Sequence, residues 1–361
     1  MKKILAAKPS IGELEVQYVT DAAKNGWGVN CYDYILKLKK VTKDYFQCEE
    51  TWPTSSCHGA LHMALMSLGV SQGDEVIVPN YTWVGSVFPI NWLGANPVFV
   101  TSLRDTWCID PSAIEAAITS KTKAIVVVHL YGNLCEMDEI MAIGEKYKIP
   151  IIEDAAEAIG SEYKGKKAGS IGDFGVFSFH GTKTVTTGEG GLLTTTRKEF
   201  IEQVDIIDSQ GRKKGANFFW VDEIGLKYKM SNLQAALGVA QFERIEELVD
   251  KKITIFNWYK TQLSTLADTR MNEEQEYAKC SYWMPTVTFN KNTDITRVIE
   301  EMNNAGIAVR PFFYPVSSLP MYARDIKEEK VIGINLPSYF DLKNEDVEYI
   351  CNKLKAVLSE L

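Results

Sequence analysis

The sequence predicts an α/β chain: a large part built on a mostly parallel mixed sheet flanked by helices, followed by a smaller C-terminal α+β part. Three observations carry this. Between about residues 50 and 196, helical periodicity alternates with short continuous apolar runs, the pattern of strands covered on both faces. After the middle of the chain the pattern changes to a few separate strand-like and helix-like stretches. The length, 361 residues with 45% hydrophobic and 24% charged, is ordinary globular material but long for one core.

Taken in order, Leu61, Ala64, Leu65 and Leu68 share one helical face. EVIVP (75–79), NPVFV (96–100), AIVVVHLY (124–131) and IPIIED (149–154) read as buried strands. Ser231-Asn232-Leu233-Gln234 has the form of a capping box and predicts one long helix to about Leu263. Beyond it, SYWMPTVTF (281–289) and AVRPFFYP (308–315) read as strands and 295–305 as a helix. Val347, Ile350, Leu354 and Val357 mark the inner face of a closing helix. With no repeat and no Pro/Gly/Ser linker, the expected division is 1–245, including the N-terminal segment, and 246–361.

Composition excludes several function classes. The 39 basic and 47 acidic residues give a net charge of −8 with no basic stripe, which argues against a nucleic-acid surface. No run approaches the roughly 18 to 20 apolar residues of a membrane span, and MKKILAAKP is too short for a secretory leader. Seven cysteines, an odd count without paired spacing, suggest reduced thiols, no metal site and a cytoplasmic location. No G-x-G-x-x-G follows a strand, so a nicotinamide dehydrogenase is not indicated.

The stretch FSFHGTKTVTTGEGG (177–191) sets Lys183 between an apolar run and a glycine cluster. A phosphate loop is one reading, but it requires Gly directly before Lys, and here Thr182 intervenes. A solvated surface lysine is the default reading of any single lysine. A Schiff-base lysine is the third, and its usual partner, pyridoxal phosphate, needs an acid for the ring nitrogen, a flat group on the ring face and an anion pocket. Asp154 ends an apolar strand, where ligands of parallel sheets bind. Trp83 could cover the ring, and Ser178 with the helix start at Cys57 and His58 could hold phosphate. Glycines 188–191 then turn the chain into a further strand, GLLTTT.

In this combination the residues resemble the sugar aminotransferases of the DegT/DnrJ/EryC1/StrS group, which have the PLP-dependent transferase fold type I of aspartate aminotransferase. The resemblance covers nearly the whole chain. It runs through AKPSIGELE, GWGVN, ALHMAL, GDEVIVPNYTW, HLYGN and IIEDAAEAIGSEYKGKKAGSIGDFGVFSFHGTK, and on through TTGEGG, KYKMSNLQAALG and RPFFYP. It implies pyridoxal 5'-phosphate as cofactor, with Lys183 bonded to it and Asp154 on the pyridine nitrogen. Glu157 would lie near the phenolic oxygen, Trp83 on the ring and Ser178 on the phosphate. Related sugar dehydratases carry His where Lys183 stands, so the lysine favours transamination.

Two departures stand out. Where the family usually reads Asn-Gly-Thr-Ala, this chain has Ser56-Cys57-His58-Gly59, which makes Cys57 and His58 candidate phosphate contacts. Where many members have Asn in a Gly-x-Asn-Tyr-Arg segment reaching the other subunit's cofactor, this chain has Lys227 in Gly225-Leu226-Lys227-Tyr228-Lys229. Arg310, Arg212 and Lys213 are candidates for contacts to a substrate diphosphate, and His180 faces substrate or packs beneath its loop. The implied activity is transfer of an amino group from L-glutamate to a keto group of a nucleotide-linked deoxy sugar, for surface polysaccharide or a related glycan, by a homodimer with shared active sites. An aminotransferase for a small phosphorylated ketone and a non-catalytic cofactor-binding regulator are the alternatives.

Overall fold

A computed structural model describes residues 3–324 and 326–360. The strands of the first half are β1 (Glu50–Thr54), β2 (Glu75–Pro79), β3 (Asn96–Val100), β4 (Thr122–Val128), β5 (Ile151–Asp154), a short hairpin β6 (Glu162–Tyr163) and β7 (Lys166–Lys167), β8 (Phe174–Ser178) and β9 (Gly191–Thr195). Seven of them form one sheet in the order β1-β9-β8-β5-β4-β2-β3. From β8 to β3 every pairing is parallel, and only β9 runs antiparallel to its neighbours β1 and β8. This is the mostly parallel mixed sheet that the apolar runs predict.

The alternation of side chains along these strands divides the core in two. Ile77, Ile125, Val127 and Ile151 enter one buried cluster, whereas Val76, Val78, Val126 and Ile152 enter the other, on the opposite face. Helices cover both faces, so the strands carry no polar side and read in the sequence as unbroken apolar runs.

The second half contributes β10 (Arg270–Met271), β11 (Ala278–Lys279), β12 (Thr286–Thr288), β13 (Arg310–Pro311) and β14 (Gly333–Asn335). Four of these make an antiparallel sheet in the order β10-β12-β14-β13, and β11 instead extends the β6-β7 hairpin. A third core, including Ile255, Val287, Ile334 and Ile350, packs this sheet against the helices Ile245–Leu263, Ile295–Asn304 and Asn344–Ser359.

Three expectations are corrected. The capping box at Ser231 and Gln234 is present, but the long helix breaks into Asn232–Glu243 and Ile245–Leu263. At the break, the guanidinium of Arg244 pairs with the buried Glu15 carboxylate at 3.2 Å. The expected strand over 281–289 shrinks to Thr286–Thr288, because Tyr282 is left-handed (φ 49°) and Pro285 has no N–H to give a ladder. The expected strand over 308–315 is reduced to Arg310–Pro311, in a run that contains two prolines. Ile4 also bridges to Ile307 and lies in the third core.

At the end of β5, consecutive acids point to opposite faces. Glu153 is fully buried and accepts four hydrogen bonds: from Gly169 N (2.9 Å), Ile171 N (2.7 Å), Gly172 N (2.6 Å) and His129 Nε2 (2.9 Å). His129 Nδ1 accepts from Cys135 N at 3.2 Å, which assigns the ring proton to Nε2 and makes it the donor to Glu153. One carboxylate thus fastens β5 to the 169–172 turn that leads into β8. Glu153→Ala should leave these donors unsatisfied and lower stability by about 3 kcal/mol or more. A shift of the urea midpoint measures this; a midpoint equal to the native one would contradict it.

Candidate active site

The carboxyl ends of β2, β4, β5 and β8 open onto a cleft of about 560 Å³. Its lining includes Ser56, Cys57, His58, Trp83, Asp154, Glu157, Ser178, His180 and Lys183 from the first half of the chain, and Trp283, Arg310 and Phe313 from the second. Sequence reasoning had singled out nine of these residues, and the fold brings all nine to one place: Lys183, Asp154, Glu157, Trp83, Ser178, Cys57, His58, His180 and Arg310.

Asp154 follows the register of its neighbours, Val128 on β4 and Val176 on β8, and its side chain turns to the cleft at the sheet's carboxyl edge. Both oxygens are held: Oδ2 accepts from Ser86 Oγ at 2.7 Å and Oδ1 from Ala156 N at 3.1 Å. Three residues on, Glu157 is buried and accepts from Tyr131 N at 2.9 Å and from Lys183 Nζ at 3.2 Å. Burial pushes the Glu157 carboxyl above its ordinary value, while the Lys183 ammonium opposes the rise.

Lys183 is therefore not a solvated surface charge. Its ammonium lies between Glu157 and the face of Trp283, 3.6 Å from the ring centroid. The loop that presents it is pinned at both sides: Trp283 Nε1 donates to Thr182 O at 2.8 Å, and Phe179 N donates to Gly190 O at 2.9 Å. Gly190 (φ 156°) has no room for a side chain, since a Cβ would come within 2.1 Å of Thr187 Oγ1.

At the other end of the cleft the helix Cys57–Ser67 begins. Ser56 caps it by accepting from Gly59 N at 3.1 Å, which leaves the first amides, those of Cys57 and His58, unpaired within the helix. The helix start sits directly on β9, where a Cβ on Gly191 would meet Cys57 N at 2.5 Å. Cys57 is half-buried and desolvation pushes its thiol well above its usual value, so it is a packing group and not a nucleophile at neutral pH. His58 stacks on Trp92 at 5.9 Å, and its Nε2 faces Gly85 across the cleft wall.

Three sequence candidates do not line this cleft. Lys227 is exposed, Lys213 is exposed and pairs with Glu223 at 3.0 Å, and Arg212 donates to Ser209 O at 3.3 Å. All three lie on the segment 209–229, whose Phe218, Phe219, Trp220 and Ile224 are also exposed. Conversely, the sequence reading missed Trp283, Ser86, Phe313 and Glu189, all of which line the cleft. Trp283 was hidden inside a run read as a strand; Glu189 stood in plain view within TTGEGG but was taken only as part of a turn.

The family model described as the DegT/DnrJ/EryC1/StrS aminotransferase family matches residues 9–355. The chain belongs to this family. It is similar to the GDP-perosamine synthase of Escherichia coli O157:H7, 37% identical with 100% of both chains covered, and to that of Caulobacter vibrioides, 35% identical with 99% of both covered. Among solved structures it is similar to the PLP form of the putative sugar aminotransferase Spr1654 from Streptococcus pneumoniae, with a TM-score of 0.92, 29% identity and 99% of each chain covered. The protein is a pyridoxal-phosphate-dependent aminotransferase.

The residues present fit that cofactor. An amine, a doubly hydrogen-bonded carboxylate and a helix start with free amides stand around one cleft, and Gly85 keeps the wall between Trp83 and His58 open. A methyl group at 85 would lie 3.0 Å from Trp83 Cδ1 and 3.1 Å from His58 Nε2. Gly85→Ala should weaken cofactor binding about tenfold, or about 1.4 kcal/mol, with the circular dichroism unchanged. Fluorescence titration of the apoprotein with cofactor checks this, and equal affinity would contradict it.

Proposed function

We propose that this aminotransferase moves an amino group from L-glutamate to a keto group of a nucleotide-linked deoxy sugar, for synthesis of a surface polysaccharide or related glycan. The observation that carries the chemistry is the Lys183 amine, held 3.2 Å from Glu157 in a cleft whose opposite wall presents Asp154. Support for the acceptor class comes from full-length similarity to two GDP-perosamine synthases.

Bound pyridoxal phosphate supplies an aldehyde for imine exchange and a ring that accepts electron density. With the cofactor bound, the Lys183 Nζ would be the amine that bonds to it and, once freed by the donor amine, the base that takes the proton from the donor's α-carbon. Glu157 receives the resulting ammonium charge at close range. Asp154, held by Ser86 and Ala156, would face the ring nitrogen and keep a proton there. Trp83 would cover the ring, and Ser178, the amides of Cys57 and His58, and the His58 ring would hold the phosphate. The acceptor half then runs the proton from Lys183 back to carbon.

Arg310 is half-buried in the cleft wall and has no protein acceptor among the described residues, so it is the anion contact we assign to substrate. His180 sits at the rim, its Nδ1 accepting from Thr182 N at 3.3 Å and its Nε2 3.7 Å from Glu189, and is placed to meet a sugar hydroxyl. Lys227, Arg212 and Lys213 act in our reading from the second subunit of a homodimer, which the exposed apolar side chains of their segment favour. No helix among the described residues is long and apolar enough to cross a membrane, in keeping with a cytoplasmic enzyme. For domains we keep the division after residue 245, with the cofactor-binding part before it and the smaller part after it, and Ile4 packed across onto the smaller part.

Lys183→Ala should abolish turnover and the near-ultraviolet to visible band of the lysine-bound cofactor; an active, coloured variant would refute the assignment. Arg310→Ala should raise the KM for a nucleotide-linked keto sugar about tenfold or more, the loss expected for one charge-assisted contact. Steady-state kinetics with and without the nucleotide on the acceptor tests the substrate class, since a nucleotide-free ketone that reacts equally well contradicts it.

A further inference from the structure

Lys252 is a buried cation with no acid beside it. It lies on the Ile245–Leu263 helix, is 7% exposed, and forms no ion pair among the described residues. Its Nζ donates to Ser338 O at 2.6 Å, Trp283 O at 3.1 Å and Ser338 Oγ at 3.1 Å. Three acceptors match the three N–H bonds of an ammonium group; a neutral amine has only two. Burial pushes Lys252 down to about 7, and the positive charges of Lys183 and Arg310 act in the same direction. A cation kept at such a cost is a functional-site candidate when its geometry leads to the chemistry.

Here it does. The three acceptors bring together the interdomain helix, residue 283 and the loop at residue 338, immediately behind the reactive amine. Trp283 is the link: its carbonyl accepts from Lys252, its indole N–H holds Thr182 O, and its face carries the Lys183 ammonium. The indole also stacks on Tyr131 at 6.4 Å, and Tyr131 N is the donor that fixes Glu157. Both partners of the Lys183 ammonium are thus connected to the position of one side chain.

We propose that Lys252 is a positioning residue for amine transfer, which by tying Trp283 to Ser338 fixes the indole on which Lys183 rests and which grips the preceding residue. The inference rests on the aminotransferase reading of Lys183. As pH rises through about 7, Lys252 gives up its proton and one N–H of the tripod, and the hold on Trp283 loosens. The charged and titratable groups around it are Lys183, Arg310, Lys8 and Lys251, with Asp341 paired to Lys8 and acting on Lys251. The Tyr259 hydroxyl lies on the far side, donating to Pro337 O.

The test uses the full chain labelled with fluorotryptophan and freed of cofactor, the Trp283 fluorine resonance being identified by its loss in Trp283→Phe. In the native protein that resonance should titrate with a midpoint near 7, and in Lys252→Met it should not. In the holoenzyme, Lys252→Met should slow the glutamate half-reaction about tenfold, the order of loss from a small misplacement, with the donor's KM within about twofold. A Trp283 resonance that does not respond near neutral pH, or a folded Lys252→Met with the native half-reaction rate, overturns the proposal. If Lys252→Met fails to fold, Ser338→Ala removes one acceptor and should move the midpoint down; an unmoved midpoint likewise overturns it. A native enzyme without any glutamate half-reaction would refute the functional reading instead, while the fluorine titration would still test the positioning.

Discussion

The buried carboxylate of Glu153 is the constraint on which the site depends. It collects three backbone amides and the His129 ring at the last turn of the pleat before Asp154. Because neighbouring residues of a strand face opposite ways, anchoring Glu153 on one side of the sheet orients Asp154 toward the other. The same contact draws in the 169–172 turn and so aligns β8, whose far end runs into Ser178 and the Lys183 loop. A short, fully satisfied acidic anchor therefore sets both ends of the cleft relative to each other.

Around that anchor the cleft is assembled from both halves of the chain. The sheet supplies Asp154, Glu157, Ser178 and Lys183, and the C-terminal half closes over them with Trp283, Arg310 and Phe313. Electrostatics inside follow the geometry. Two acids and an amine share a confined space, and burial raises Glu157 while Lys183 opposes the rise. The helix start at Cys57 provides amide donors at the opposite end without adding a charge.

Much of this was legible in the sequence, and the reasons are particular. Strands covered on both faces leave unbroken apolar runs, so EVIVP, NPVFV and IPIIED declared the sheet. The break at Arg244 was invisible because helical periodicity passes through it; there the guanidinium pairs with Glu15, 229 residues away in sequence. The overlong strand at 281–289 failed for a local reason, the left-handed Tyr282 beside Pro285, and with it Trp283 was lost as a site residue. Lys252 looked like an ordinary helix lysine, since nothing in its neighbours Lys251 and Ile253 announces burial. Arg212, Lys213 and Lys227 were flagged by charge, but charge alone does not say which cleft a loop faces.

The segment from Glu153 to Glu157 joins an anchor, a cleft-facing acid and an amine partner within five residues, with Ala155 buried and the Ala156 amide bonded back to Asp154. None of these parts can shift without moving the others, so the segment leaves little freedom to drift. The rim is different: His180, Thr182 and Glu189 are linked to one another on the Lys183 loop, Arg310 comes from β13, and all four retain solvent exposure. A new acceptor can therefore be acquired by altering the rim, over a floor that stays fixed. The architecture separates what the enzyme does from what it does it to, and diversification has its natural outlet in the second.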